Sequence, residues 1–195
     1  MRGTKRGLLV GALLISLAPP AWATTYAIDA DHTTIGFKIR HLLSKVQGTF
    51  DQYEGSFEYA HGHPEQWKVA ATIQAASINT RVAQRDKHLR SKDFFEVETY
   101  PTITFTSTSV TEATATTATL NGILTLHGVQ QPVTLDLEMH GEAKDPWGNQ
   151  RSGFTATTTI NRKAFGLDWN QVVEPGQLLV GEEVEITLEI EGMVK

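Results

Sequence analysis

The sequence predicts an all-β fold: an antiparallel barrel or sandwich of about eight strands, with one short helix around residues 80–90. Three observations carry this. Apolar residues recur at every second position, clusters of Gly, Pro, Asn and Asp punctuate those runs, and a single segment breaks the period. Alternation marks a strand because successive side chains point to opposite faces of a sheet.

Along the chain, Ile35, Phe37 and Ile39 alternate first, and a further strand lies around Phe57 to Tyr59, ended by Gly62-His63-Pro64. Trp67, Val69, Ala71 and Ile73 make the next run, and Ile103 and Phe105 another between threonines. The Thr/Ala-rich run from Thr111 to Thr119 reads as hairpin material, and Asn121-Gly122 fits a tight hairpin turn. Val133, Leu135, Leu137 and Met139 alternate with polar residues, and Asp145-Pro146-Trp147-Gly148-Asn149 then forms a turn. Val184, Ile186, Leu188 and Ile190 close the series against Glu and Thr. Each run has one apolar face and one polar face, which suits an antiparallel sheet protected on one side. Barrels remove exposed strand edges, and small ones enclose a single ligand.

The exception to the period lies in the middle of the chain. Asn79 or Thr80 is expected to cap a helix, and Val82, Arg85 and Leu89 follow on one helical face.

The first residues predict export. Arg2, Lys5 and Arg6 precede the apolar run Leu8 to Leu17, and Ala21-Trp22-Ala23 offers a cleavage site after Ala23. The apolar run falls short of the roughly 20 residues that span a bilayer. A cleaved signal peptide over 1–23, export and one domain over 24–195 are therefore expected. The chain has no cysteine, so neither a lipoprotein anchor nor a disulfide is expected. Three of the 17 Lys and Arg lie in the leader, which leaves 14 against 22 Asp and Glu, a net charge of −8. That balance argues against a nucleic-acid partner and against electrostatic docking on an anionic bilayer.

The chemistry concentrates in Arg85-Asp-Lys-His-Leu-Arg-Ser-Lys-Asp-Phe-Phe95. Catalysis is weakly supported there: the chain has no G-x-S-x-G elbow and no cysteine nucleophile. Asp86 and His88, two apart on a helix, point in different directions and form no relay. No catalytic residue is assigned. His61-x-His63 with Glu65 is a thin metal motif in a Gly- and Pro-containing loop, so no metal site and no cofactor are assigned. The third reading makes the helix part of a ligand-binding mouth. Arg85, Asp86, His88 and Arg90 then pair with one another or with a ligand head group, and Phe94 and Phe95 pack at the entrance or cap one end of the core.

An ordered set of motifs resembles the YceI-like family of periplasmic lipid- and polyisoprenoid-binding proteins. The set comprises Tyr26-Ala-Ile-Asp29, His32-Thr-Thr-Ile-Gly-Phe37, His41-Leu42, Gly48-Thr-Phe50, Gly55-Ser-Phe57, the Arg85–Phe95 block, Tyr100-Pro-Thr-Ile-Thr-Phe-Thr-Ser107, Gly122-Ile-Leu-Thr-Leu-His-Gly-Val129, Asp145-Pro-Trp-Gly148, Ile160-Asn-Arg-Lys-Ala-Phe-Gly166 and Val180-Gly-Glu-Glu-Val-Glu-Ile186. Two departures stand out: Thr33 where members often have Ser, and Ala164 where an Asp often precedes Phe-Gly.

The resemblance implies an extended lipocalin-like antiparallel barrel, a homodimer, and an apolar pore for a long isoprenoid, quinone-like or other amphiphilic lipid. Transient contact with a membrane or a membrane electron-transfer protein is a further expectation. Candidate pore residues are Phe37, Phe50, Phe57, Ile73, Ile103, Phe105, Leu124, Leu126, Phe154 and Phe165, with Arg85, Asp86, His88, Phe94 and Phe95 at the mouth. The rival functions are scavenging of lipophilic toxins or antibiotics, a lipid- or quinone-linked enzyme or electron-transfer accessory subunit, and a structural partner in a stress-response assembly.

Overall fold

A computed structural model describes residues 22–174 and 177–195. The predicted leader, except Trp22 and Ala23, lies outside the described residues. The strands are β1 Thr24–Ile28, β2 Thr34–His41, β3 Ser44–Phe50, β4 Tyr53–Tyr59, β5 Lys68–Gln74, β6 Ile78–Asn79, β7 Thr102–Thr111, β8 Thr117–Leu126, β9 Val129–Lys144, β10 Gln150–Asn161, β11 Val172–Glu174, β12 Gln177–Leu178 and β13 Val180–Val194. A single α-helix among the described residues, α1, spans Ala83–Arg90.

These strands form a closed antiparallel barrel of eight rows, with the small β11–β12 hairpin outside it. Three rows are interrupted strands. β1 and β2 are separated by a 3-10 turn at Ala30–His32, β3 and β4 by Asp51-Gln52, and β5 and β6 by a 3-10 turn at Ala75–Ser77. The long β13 closes the ring: its first part pairs with β2, and its end pairs with β1 through Ile28↔Gly192. Every row thus has a neighbour on both sides, which leaves no long unpaired edge. Thr33, the departure noted above, keeps the role a hydroxyl can play at this seam. It donates to the Glu191 carbonyl (3.2 Å) and accepts from the Glu191 amide (3.1 Å).

The alternation places its residues as expected in β9, where Leu135, Leu137 and Met139 are buried, and in β13, where Ile190 is. Two local expectations are corrected. Asn121 and Gly122 lie inside β8, paired with β7 and β9, and are not a turn. The glycine serves a close approach: a Cβ there would stand 2.3 Å from Cζ of Phe105 and 2.7 Å from the Thr106 carbonyl oxygen. The β7–β8 turn is the Thr/Ala-rich run, as expected, and β9 and β10 join through Asp145–Asn149.

The second correction concerns the helix start. Val82 occupies the N-cap position, with no side-chain capping bond. Thr80 bonds instead to Asp86, and Asn79 Oδ1 accepts from the Arg81 amide (2.9 Å).

The interior holds two apolar clusters. One end is filled by Tyr26, Phe57, Tyr59, Trp67, Met139 and Phe154, with Tyr26 stacked on Phe57 at 5.1 Å and Phe154 edge-on to Phe57 at 5.2 Å. The other includes Ile35, Phe50, Ile78, Ile103, Leu126 and Phe165, with Leu89 and Phe95 of the helical segment packed against it. The barrel is closed by aromatics at one end and covered by α1 and its following loop at the other.

Candidate ligand-binding site

Between the two clusters lies an apolar cavity of about 620 Å³, within the range of small-molecule sites. One strand shows how the sequence builds its wall. Phe154, Ala156, Thr158, Ile160 and Arg162 are alternate residues on or just beyond β10, and all five line the cavity. At about 3.3 Å per residue this wall runs roughly 26 Å along the strand, or roughly 20 Å along a barrel axis tilted at 35–45°. The site is therefore an elongated chamber. Ala71 and Ala156 on its wall leave space that larger side chains would fill.

Twelve of the fifteen residues expected at the ligand site line this cavity: Phe37, Phe50, Ile73, Arg85, His88, Phe94, Phe95, Ile103, Phe105, Leu124, Leu126 and Phe154. Three do not. Phe57 packs in the closed-end aromatic cluster, where it borders only a minor crevice. Phe165 is fully buried behind the wall, held by the 3-10 turn Arg162–Phe165. Asp86 faces away from the cavity into a buried bond network.

The charged stretch acts largely as a brace. Asp86 accepts from the Thr80 amide (2.9 Å) and hydroxyl (2.5 Å), while Arg85 donates to the Thr80 hydroxyl (2.7 Å) and carbonyl (2.8 Å). Arg90 donates to the carbonyls of Ala76 (2.6 Å) and Ile78 (2.7 Å). These bonds fasten α1 to β6 and hold its Arg85–His88–Leu89 face against the chamber. His88 pairs with Asp93 at 3.0 Å and meets the rings of Phe94 and Trp169 edge-on, each at 5.0 Å. Asp86 and His88 make no contact with each other, so no relay is formed between them.

At this covered end His41, Gln84, Arg85, His88 and Arg162 join Val82, Trp169, Leu179 and Val180 in the wall, and Tyr53, Glu54, Thr80 and Thr158 are its other polar residues. The sequence reading did not single out Gln84, Thr158, Arg162 or Trp169. Arg162 and Thr158 were accessible in principle, because they continue the parity of Phe154 and Ile160; the threonine-rich surroundings of β10 masked that parity. Trp169 sits in an irregular segment where no period applies.

His61 and His63 are separate: His61 Nδ1 lies 3.4 Å from the Tyr59 hydroxyl, and His63 Nδ1 lies 3.1 Å from Glu65. One group with metal-ligand spacing exists among the described residues, formed by Asp29, His32 and Glu191. Arg151 already bridges its two carboxylates, donating to Asp29 (2.6 Å) and Glu191 (2.7 Å), so a guanidinium stands where a cation would compete for them. No helix among the described residues is long and apolar enough to cross a membrane.

A closed antiparallel barrel around an elongated apolar chamber, polar at its helix-covered end, is the architecture of a lipocalin-like binding protein. The chain belongs to the YceI-like family, whose domain model matches residues 26–192. A UPF0312 protein of Photorhabdus laumondii is 43% identical over 196 residues, covering 99% of this chain and 98% of its own. Among solved structures, the Campylobacter jejuni YCEI protein is 29% identical with a TM-score of 0.69, covering 80% of this chain and 90% of that one. A polyisoprenoid binding domain from Saccharophagus degradans shares the fold at TM-score 0.67 and 17% identity, covering 88% of this chain and 99% of that domain.

Proposed function

We propose that this protein binds a long-chain isoprenoid, quinone-like or other amphiphilic lipid in the periplasm and sequesters or carries it. The observation that carries the reading is the chamber: about 620 Å³, elongated, and walled by Phe, Ile, Leu and Val. Family membership supports it, as does the likeness in fold to a domain described as polyisoprenoid-binding. In this reading Phe37, Ile103, Phe105 and Leu124 contact the tail, and Arg85 and His88 lie beside the head. Phe57, Asp86 and Phe165 hold the wall rather than touch ligand.

Energetics favour carriage over irreversible capture. Each buried methylene is worth about 0.8 kcal/mol relative to water, but a lipid taken from a bilayer is already dry. Transfer is close to an exchange between apolar surroundings, so polar contacts at the head decide its direction. The reading is one of binding without turnover: Arg85 and Asp86 are bonded to Thr80, and the His88–Asp93 pair stands half-exposed beside the chamber. Export through the leader and a homodimeric state belong to the same proposal.

The test is native mass spectrometry of the exported protein beside an organic extract of the same sample. A discrete long-chain prenyl lipid or quinone at near-stoichiometric occupancy is expected. Unrelated hydrophobic compounds displacing a fluorescent probe equally well would instead make the protein a scavenger. Failure to take up any prenyl lipid would overturn the reading.

A further inference from the structure

Arg162 is 3% exposed and forms part of the chamber wall at the covered end. Its Nε donates to the Gly181 carbonyl (2.8 Å), and its Nη1 donates to the Leu167 carbonyl. Those two bonds tie the 3-10 turn after β10 to β13 and to the chain that follows, and they account for two of the three nitrogens. Nη2 is buried and has no hydrogen-bond partner within the protein. Arg162 also makes no ion pair among the described residues: Glu182, the nearby carboxylate, is taken by Lys163 at 2.7 Å. A guanidinium in an apolar wall without a carboxylate carries a large desolvation cost. Burial accordingly pushes its pKa down, against the opposing pull of Glu182 and Asp168.

We propose that Arg162 reads an anionic oxygen on the ligand's head group, so that the chamber prefers lipids ending in a phosphate or carboxylate over neutral ones of the same tail. This rests on the lipid-binding reading above and names the head chemistry of that same site. An oxyanion against Nη2 supplies the missing acceptor and a directly paired charge together. Nη2 is closed off from the chamber as well as from bulk solvent, so the contact requires the wall to move aside around it and, once made, competes with little water. Arg85, the other wall arginine, already spends Nε and Nη2 on Thr80; Arg40, exposed on β2 and outside the wall, is the control.

The experiment measures binding of farnesyl phosphate and farnesol, and of palmitate and hexadecanol, to the full mature protein. Quenching of tryptophan fluorescence reports binding, since Trp169 stands in the wall. A charge-assisted hydrogen bond corresponds to a preference of about tenfold or more for the anionic member of a pair. A preference in the farnesyl pair alone assigns a prenyl phosphate, and one in the palmitate pair alone assigns a fatty acid. The preference should vanish in Arg162→Gln and survive in Arg40→Gln. A co-crystal structure of the wild-type protein with the preferred anion should place an oxygen within hydrogen-bond distance of Nη2, a result that stands even where Arg162→Gln fails to fold. Equal binding of both members of each pair overturns the inference while leaving lipid binding intact. A preference that persists in folded Arg162→Gln, or an oxyanion placed elsewhere, also overturns it. No binding of any of the four removes the lipid reading itself and this inference with it.

Discussion

Asp86 receives two hydrogen bonds from a single residue, the amide of Thr80 at 2.9 Å and its hydroxyl at 2.5 Å. Asp86 is 7% exposed and Thr80 4%. The pair joins the end of β6 to the first turn of α1, and Arg85 grips the same threonine from the other side. A residue that resembles catalytic machinery in the sequence thus holds the lid of the chamber in place.

Asp86→Ala should therefore destabilise the fold rather than abolish a reaction. It strands two buried donors, and each unsatisfied buried group costs about 1–3 kcal/mol. Asp86→Asn keeps one acceptor oxygen and should lose less. Urea unfolding of the three proteins gives the order; wild-type stability in Asp86→Ala would show that the network contributes nothing.

How much of this was legible varies with the physics behind each element. Strands with one wet face announce themselves, so β2, β5, β7, β9 and β13 follow the alternation of Ile35–Ile39, Trp67–Ile73, Ile103–Phe105, Val133–Met139 and Val184–Ile190. Asn121-Gly122 misled because the dipeptide that suits a turn also suits a crowded strand: the glycine is required by the Phe105 ring on the neighbouring strand β7, a contact that no local turn rule encodes. Asp86 misled for a related reason. Its partner is Thr80, which the local capping rule assigned to a different job. Arg162 carried a signal in its parity, but its importance lies in the absence of a partner for Nη2, and no sequence pattern encodes that.

Gly122→Ala should lower stability and disturb the chamber at once. The added methyl meets both the end of the Phe105 ring, which can swing, and the Thr106 carbonyl, which belongs to the backbone ladder. Overpacking of this kind costs about 1–3 kcal/mol, and at about 2–4 °C per kcal/mol for a chain of this size the loss is measurable by calorimetry. Because Phe105 lines the cavity, a swung ring should also weaken lipid binding. Unchanged melting and binding would mean that strands β7 and β8 separate freely at this point.

Acid should loosen the barrel seam. The hydrogen bond from Arg151, and then that from His32, hold Asp29 down at about 2 against the opposing effect of burial. An ordinary Asp titrates near 3.9. A folded-state value below the unfolded one adds stability that is fully present above about pH 4 and is lost as pH falls towards about 2. Arg151 reaches Asp29 beside β1, Glu191 on β13 and Asp145 in the β9–β10 turn, so the lost stability belongs to barrel closure. Melting temperature should fall more steeply between pH 4 and pH 2 in the wild type than in Arg151→Met, which is already weakened at neutral pH. Parallel curves would show that this cluster does not couple to folding.

Opposite changes of volume at two wall positions separate binding from stability. Phe37 packs its ring against Phe50 at 5.8 Å, and Ala71 stands opposite Phe105 in the β5–β7 pairing; all four line the chamber. Phe37→Ala removes wall surface from the tail, so it should lower occupancy by a bound prenyl lipid while the eight-row barrel still folds. Ala71→Phe acts in the other direction by placing a ring in space that the tail would occupy. A filled cavity gains packing contacts, so this variant should exclude lipid without melting much earlier than the wild type. Native mass spectrometry reads occupancy and calorimetry reads folding in the same samples. Loss of lipid in both variants, with folding retained, ties occupancy to chamber shape, because the two changes share no chemistry except their position on the wall. Full occupancy in Ala71→Phe would place the ligand outside the chamber.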